Sequence, residues 1–313
     1  MNNISNNGGV YDLVIIGSGP AGLSASVYAG RARMRTLVLE KLTFSGGQIL
    51  KTEMVDNYLG FYNTNGFQLV DYFKKHADAL KTDFVSGEVR GIKKASNGFN
   101  IICNDSEYFS KSVIIASGAS HKLLNVKGES EFSGKGVSYC ATCDGFFFRD
   151  KTVIVVGGGD TALEDAVFLS KQCKKVYLVH HRDKLKGSKI LQESFFALHN
   201  TEIVWNSKVT EIVGDKTVTG VSVEQEDGGI RNIEAQGIFI AIGIHPNTEP
   251  FSDIVKLDKN EFIEAGEDCL TSMPGIFAAG DIRTKPLRQI VTAAADGANA
   301  VFSVEKYLAT VNH

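Results

Sequence analysis

The sequence predicts an α/β protein of two doubly wound units, each carrying an inserted β-meander. A short apolar run, a glycine turn and a helix-compatible stretch occur in that order twice, at Gly17-Ser18-Gly19-Pro20-Ala21-Gly22 and at Gly157-Gly158-Gly159-Asp160-Thr161-Ala162. After each, the pattern changes to short alternating strands broken by turn pairs. Strand, glycine turn and helix together bring backbone N–H groups at a helix N-terminus up to a pyrophosphate. Two such units in one chain therefore imply two Rossmann-like, three-layer dinucleotide-binding domains.

With 313 residues the chain is long enough for two domains, each with its own core. Apolar residues at 43% and charged residues at 22% give the balance of a soluble globular protein, and a net charge of -3 offers no reason to expect nucleic acid or an acidic membrane as partner. Residues 1–9 are polar and rich in Gly and Asn, without the basic start and apolar core of a secretion signal. Apolar runs such as 153–156 are too short to span a bilayer, so the expected location is the cytoplasm. There, five cysteines are expected as thiols or as a working redox pair.

In the first unit, a strand over 11–16 enters the glycine turn and a helix follows over 23–32. The next strand, 36–39, ends at Glu40, where a carboxylate can accept hydrogen bonds from a ribose diol. The polar segments 45–48 and 56–58 are turn-prone. Residues 69–81 have helical spacing, with Leu69, Phe73, Ala77 and Leu80 on one face. A meander runs from 84 to 115, with turns at Asn97-Gly98 and Asn104-Asp105, into a strand at 112–118 whose small residues suit close approach to a cofactor.

Cys140-Ala141-Thr142-Cys143-Asp144-Gly145 separates the two units. Thiols two residues apart can close into a small ring and reopen, which makes the pair a redox-switch candidate. A C-x-x-C is also half of a zinc site. Cys103, Cys173 and Cys269 are singletons with no Cys or His two to four residues away, so no metal is expected.

The second unit repeats the order with a strand over 152–156 and a helix over 163–170. Laid on the first from the leading glycine, it puts His180 where Glu40 stands, at the end of a strand over 176–179. His181, Arg182 and Lys186 follow. A carboxylate there would repel a 2′-phosphate, whereas these groups would bind it, so the second dinucleotide reads as NADPH rather than NADH. A further meander (208–213, 218–224 and 230–234, with a turn at Asp227-Gly228-Gly229) leads to a strand over 236–242. The apolar run at 275–281 ends in Asp281, which can hydrogen-bond the ribityl or phosphate part of a flavin nucleotide. Arg288 and Gln289 precede a small-residue helix over 291–300, whose N-terminal dipole would favour negative charge on a reduced flavin ring.

From Tyr11 to Leu308 the chain resembles the low-molecular-weight thioredoxin reductases, a flavoprotein disulfide reductase family. Its most specific pieces are the Cys140 to Gly145 segment, the glycine turn ending Asp160-Thr161-Ala162, and Phe277-Ala278-Ala279-Gly280-Asp281 with Arg288-Gln289. The resemblance implies a discontinuous FAD domain, residues 1–120 and 250–313, with an NADPH domain of residues 121–249 inserted and carrying the dithiol. It implies FAD contacts at Gly17, Gly19, Gly22, Glu40, Gln48, Asn57, Asp281 and Gln289, with Ser18, Pro20, Ala21, Lys41, Gly47, Val89, Gly118, Arg288 and Ile290 alongside. NADPH contacts fall on Gly157, Gly159, Asp160, Thr161, Arg182 and Lys186, beside His180 and His181.

By the same resemblance Asp144 is the general acid, Phe146 and Phe147 receive the protein substrate, Cys143 is the flavin-proximal thiol and Cys140 attacks the disulfide of thioredoxin. A homodimer, and rotation of the inserted domain about hinges near 117–123 and 246–251, are implied too. The family's phosphate motif reads His-Arg-Arg with Arg four residues later. Here it is His180-His181-Arg182 with Lys186, which gives up bidentate pairing and makes the site weaker and more pH-dependent. The expected reaction runs from NADPH through FAD and the Cys140/Cys143 disulfide to thioredoxin. The alternatives are NADH or ferredoxin as donor, a dithiol oxidase, or an FAD-bound redox sensor.

Overall fold

The computed structural model describes residues 9–311, apart from residues 53, 54, 56, 63 and 105. The polar start of the chain, at residues 1–8, and the turn residues Asp56 and Asp105 thus lie outside the described residues. β1 (Tyr11–Ile16) is buried at every position but Asp12, as a strand covered on both faces must be. It ends at Gly17, where φ is +102° and a Cβ would stand 2.4 Å from the Ala116 carbonyl oxygen, so only glycine fits. α1 (Pro20–Arg31) begins earlier than the expected 23–32 because Pro20 sits in the first turn, where its missing N–H costs nothing.

β2 (Thr36–Glu40) lies parallel to β1, with Leu13 opposite Thr36 and Ile16 opposite Leu39. α2 (Gly66–Ala79) also starts ahead of the expected 69–81. Its cap is Asn65, whose side chain accepts from the Gln68 N–H at 2.8 Å, and a cap rather than the first apolar residue sets a helix start. β3 (Asp83–Ser86) pairs with β2. β4 (Val89–Ala95), β5 (Gly98–Cys103) and β6 (Ser106–Ile115) form the first meander, and Asn104 takes a φ of +49° in its turn. β6 serves two sheets in one. Its first half pairs antiparallel with β5 and its second half parallel with β1, so the order β3-β2-β1-β6-β5-β4 is continuous.

The chain forms two compact units, one running to Ser120 and resuming at His245, the other His121–Ile244. The return comes at His245, ahead of the residue 250 that the resemblance implies. β7 (Ala119–His121) leads out of the first unit. The second contains β8 (Val137–Ser138), α3 (Ala141–Asp144), β9 (Thr152–Val156), α4 (Asp160–Ser170), β10 (Lys175–Val179), α5 (Lys189–Phe196) and β11 (Thr201–Val204). β12 (Ser207–Gly214), β13 (Val218–Gln225), β14 (Ile230–Glu234) and β15 (Gly237–Ile240) complete it. The parallel order is β11-β10-β9-β15-β8. Here the meander β12-β13-β14 is a sheet of its own, unlike the first, because β14 ends at Glu234 before β15 begins and no long strand spans both.

β16 (Ile244–Pro246), paired with β7, carries the chain back. β17 (Ile276–Ala278) adds to β6 in parallel. α6 (Ile290–Val311) runs well beyond the expected 291–300, since Val301, Val304 and Leu308 continue the buried stripe after the small residues stop. Each unit has three layers. In the first, Leu13, Ile15 and Ile114 face α1 and α6, while Val14, Ile16 and Val113 face the meander side. In the second, Val153 and Val155 face α4, while Ile154 and Val156 face the meander. Alternation along each strand supplies both cores.

Candidate active site

Cys140 and Cys143 are joined in a disulfide with their Cα atoms 5.3 Å apart. One helical turn makes this possible: the N–H groups of Cys143 and Asp144 both donate to the Cys140 carbonyl, at 3.3 and 3.1 Å, which brings residue 143 back beside residue 140. Ser138, buried at the end of β8, ties the turn together. Its hydroxyl donates to Asp144 Oδ2 at 2.5 Å and accepts from the Cys140 N–H at 3.1 Å. The Asp144 carboxylate is thereby held beside the disulfide. Gly145 presses on the end of α4, where a Cβ would meet Gln172 Nε2 at 2.6 Å. Beyond it the Phe146 ring is 58% exposed, while Phe147 is partly buried against the core around α4. Cys103, Cys173 and Cys269 are free, buried, and divided among three separate cores.

In the first unit, the Ser18 N–H and hydroxyl both donate to Glu40 Oε2 at 2.7 Å, and the Leu42 N–H donates to Oε1 at 3.0 Å. Glu40 therefore braces the glycine turn, with lone pairs left for a diol. Next to this turn a Cβ on Gly47 would stand 3.6 Å from Gly19 Cα, and nothing lies within 4 Å of a Cβ on Gly19 or Gly118, as a cradle for a bulky group requires. Asn57 Nδ2 donates to Gln289 Oε1 at 3.1 Å, and Gln48 Nε2 donates to the Ala119 carbonyl. The Oδ1 atom of Asp281 is buried without a hydrogen-bond partner among the described residues. Burial pushes its carboxyl above the usual range, against the pull of Lys285 and Arg288. A buried acceptor of this kind awaits a donor, and a ribityl hydroxyl fits that need. Ile290 opens α6. The side chains of three other expected contacts have partners within the chain: Lys41 pairs with Glu88 at 2.6 Å, Val89 packs in the core, and the Arg288 guanidinium donates to the carbonyls of Lys285, Arg283 and Asp281.

At the second glycine turn, a Cβ on Gly157 would stand 2.4 Å from the Ala241 carbonyl oxygen, and Gly159 is open. The loop after β10 folds back on this turn. The N–H groups of Lys186 and Gly187 donate to the Gly158 carbonyl at 2.7 and 3.1 Å, and the Ser188 N–H donates to Asp160 Oδ1 at 2.7 Å. Thr161 is exposed beside it. His181, Arg182 and Lys186 are exposed, but His180 is not among the open groups. It is 3% exposed, its ring lies against Gly158, and Nε2 meets the Lys184 carbonyl at 3.0 Å. Its strand-end position carries it under the turn, so it packs the loop rather than facing solvent.

The family described as pyridine nucleotide-disulphide oxidoreductase matches residues 11–297. The chain belongs to this family. Among its curated relatives are the thioredoxin reductase of Listeria monocytogenes, 42% identical over 96% of this chain and 94% of that one, and that of Bacillus subtilis, 40% identical over 96% and 95%. The crystal structure of thioredoxin reductase from Streptococcus pyogenes superposes with a TM-score of 0.92 at 40% identity, covering 96% of this chain and 99% of that one.

Two buried side chains that hold the candidate site together were not read from the sequence. Ser138 is one case. Asp296 is another: buried on α6, it accepts from the Gly280 N–H, from Arg283 and from Lys285, all at 2.8 Å or less. Burial works against its charge, yet those hydrogen bonds outweigh it and hold the carboxyl below the usual range. The signal available was a lone carboxylate inside a stretch of alanines and glycine.

Proposed function

We propose that this chain is an NADPH-dependent thioredoxin reductase, passing electrons from NADPH by way of FAD and the Cys140–Cys143 disulfide to the disulfide of thioredoxin. The observation that carries the reading is the disulfide itself, closed within one turn beside Asp144 in a chain with two dinucleotide-type glycine turns. We read the first unit as the FAD domain, with its pyrophosphate at Gly17, Gly19 and Gly22, a ribose at Glu40 and the ribityl chain at Asp281. The second unit is read as the NADPH domain. FAD, when bound, supplies a carrier that takes a hydride and returns electrons to a disulfide as a pair.

The protein's own residues do the rest. Two electrons open the Cys140–Cys143 bond to two sulfurs, and Asp144 gives a proton to one of them. The Cys140 thiolate attacks a sulfur of the thioredoxin disulfide, forming a mixed disulfide and expelling a thiolate, while Asp144 takes back the proton from the Cys143 thiol and passes it to that leaving thiolate. Cys143 then attacks the Cys140 sulfur, which restores the internal bond and releases reduced thioredoxin. The exposed Phe146 ring offers an apolar surface for that partner. Thioredoxin or a thioredoxin-like protein is the partner, and a homodimer in the cytoplasm is the working form. Among the described residues no helix is long and apolar enough to cross a membrane.

Purified protein loaded with FAD is mixed with NADPH, thioredoxin and a thiol-reactive dye. Dye reduction is expected only with both NADPH and thioredoxin present, and is expected to vanish in Cys140→Ser. Turnover with reduced ferredoxin but with neither nicotinamide would overturn the assignment of the donor. Oxygen uptake driven by a small dithiol, with no thioredoxin turnover, would instead make the protein a dithiol oxidase.

A further inference from the structure

The loop that carries His181, Arg182 and Lys186 is held not only against the second glycine turn but also along the start of the inserted meander. The Ser207 N–H donates to the His180 carbonyl at 3.0 Å, and the Asn206 N–H donates to the Arg182 carbonyl at 3.3 Å. This lays residues 206–207 beside residues 180–182 and brings the next side chain, exposed Lys208, into the field of His181. Among the described residues none of Arg182, Lys186 and Lys208 forms an ion pair. Glu224 stands opposite Lys208 in the β12–β13 register but makes no ion pair with it. Three cations gathered without a carboxylate partner repel one another, and such a cluster is stabilised by a bound anion.

His181 has a particular place in the cluster. The Arg182 Nε–H donates to His181 Nε2 at 3.1 Å, so that nitrogen is an acceptor and the ring is neutral. Burial, then the neighbouring His180, Arg182, Lys208 and Lys186, hold the ring below its ordinary pKa. Protonation would remove the acceptor of the Arg182 bond and leave both side chains as donors.

We propose that Lys208, delivered by the meander, is a specificity-determining residue for the 2′-phosphate of NADPH, and that His181 adds its positive charge to Arg182, Lys186 and Lys208 only when protonated, so that preference for NADPH over NADH strengthens as pH falls. The proposal rests on the reading of NADPH as donor. A phosphate dianion beside the ring favours the imidazolium, so the bound ring titrates above the free ring. The proton-linked part of the affinity is complete below the pKa of the free ring and is lost as pH rises through that of the bound ring.

The test is titration of the FAD-loaded protein with NADP+ and with NAD+ at about pH 6 and about pH 8, a window that brackets the ordinary histidine range. Comparing wild type with His181→Gln at each pH cancels the titration of the phosphate itself. Lys208→Gln is expected to weaken NADP+ by about five- to tenfold and to leave NAD+ within about twofold, the usual effect of one exposed cation on a phosphate. The affinity ratio of wild type to His181→Gln for NADP+ is expected to grow by about three- to tenfold from the higher to the lower pH. His181→Arg is expected to bind NADP+ tightly at both.

If Lys208→Gln binds NADP+ as wild type does while Arg182→Gln binds it weakly, Lys208 has no part in the site. Parallel pH dependence in wild type and His181→Gln overturns the switch. Wild type that binds NADP+ no better than NAD+ overturns the NADPH reading itself, and this proposal with it.

Discussion

In the proposed reaction Asp144 is the acid, and a single hydroxyl decides how it is held. Ser138 donates to its Oδ2 and accepts from the Cys140 N–H, so the proposed acid and the first cysteine of the disulfide are anchored on one buried side chain. Removing the acid itself is expected to be the larger loss. Asp144→Asn should slow reoxidation of the dithiol by thioredoxin by about 100-fold or more, in the range of general acid catalysis, with NADPH affinity unchanged. Ser138→Ala should slow it by about tenfold, the scale of one charge-assisted hydrogen bond, and shift the pH profile of that step. Rapid-mixing kinetics of the reduced enzyme measure both. An unshifted profile in Ser138→Ala would limit Ser138 to packing.

At the scale of elements, α6 and the turn after β17 form one piece. Asp296 on the helix accepts from Gly280, Arg283 and Lys285, so the helix that points its N-terminus at the proposed flavin site also grips Gly280, the residue before Asp281. A buried carboxylate between two cations is costly to break, because its loss leaves the cations uncompensated. Asp296→Asn is therefore expected to destabilise the first unit by about 3 to 5 kcal/mol, read by denaturant unfolding. Adding Lys285→Met, which removes one stranded cation, should recover part of that loss. The sign with pH follows from the lowered carboxyl: the stabilisation is complete above the ordinary aspartate pKa of 3.8 and is lost as pH falls through the lower folded value.

For the whole molecule, two units with separate cores are expected to respond separately to their ligands. Stripping FAD should lower the unfolding temperature of the first unit while the second keeps its own transition and its affinity for NADP+. At a ligand concentration of about 100 times Kd the stabilisation by FAD is about 2.7 kcal/mol, enough for calorimetry to separate two transitions. A single transition that moved as one with FAD would show that the units unfold together.

What was legible in the residues by themselves was local. Both glycine turns, the strands leading into them, the redox pair and the meanders depend on backbone needs and alternations that act over a few positions, and these override little else. Helix ends were less legible, because Asn65 and Pro20 set them outside the apolar pattern and the stripe on α6 outran the small residues that announced it. Tertiary structure alone decided which groups come together across long separations: Ser138 with Asp144 through a strand end, Asp296 with Gly280 through a helix face, and the Lys208 charge into the field of His181 through the start of a meander. It also put His180 under the turn rather than in solvent. Each depends on burial and register, which fix a side chain's direction only once the sheets have closed around it.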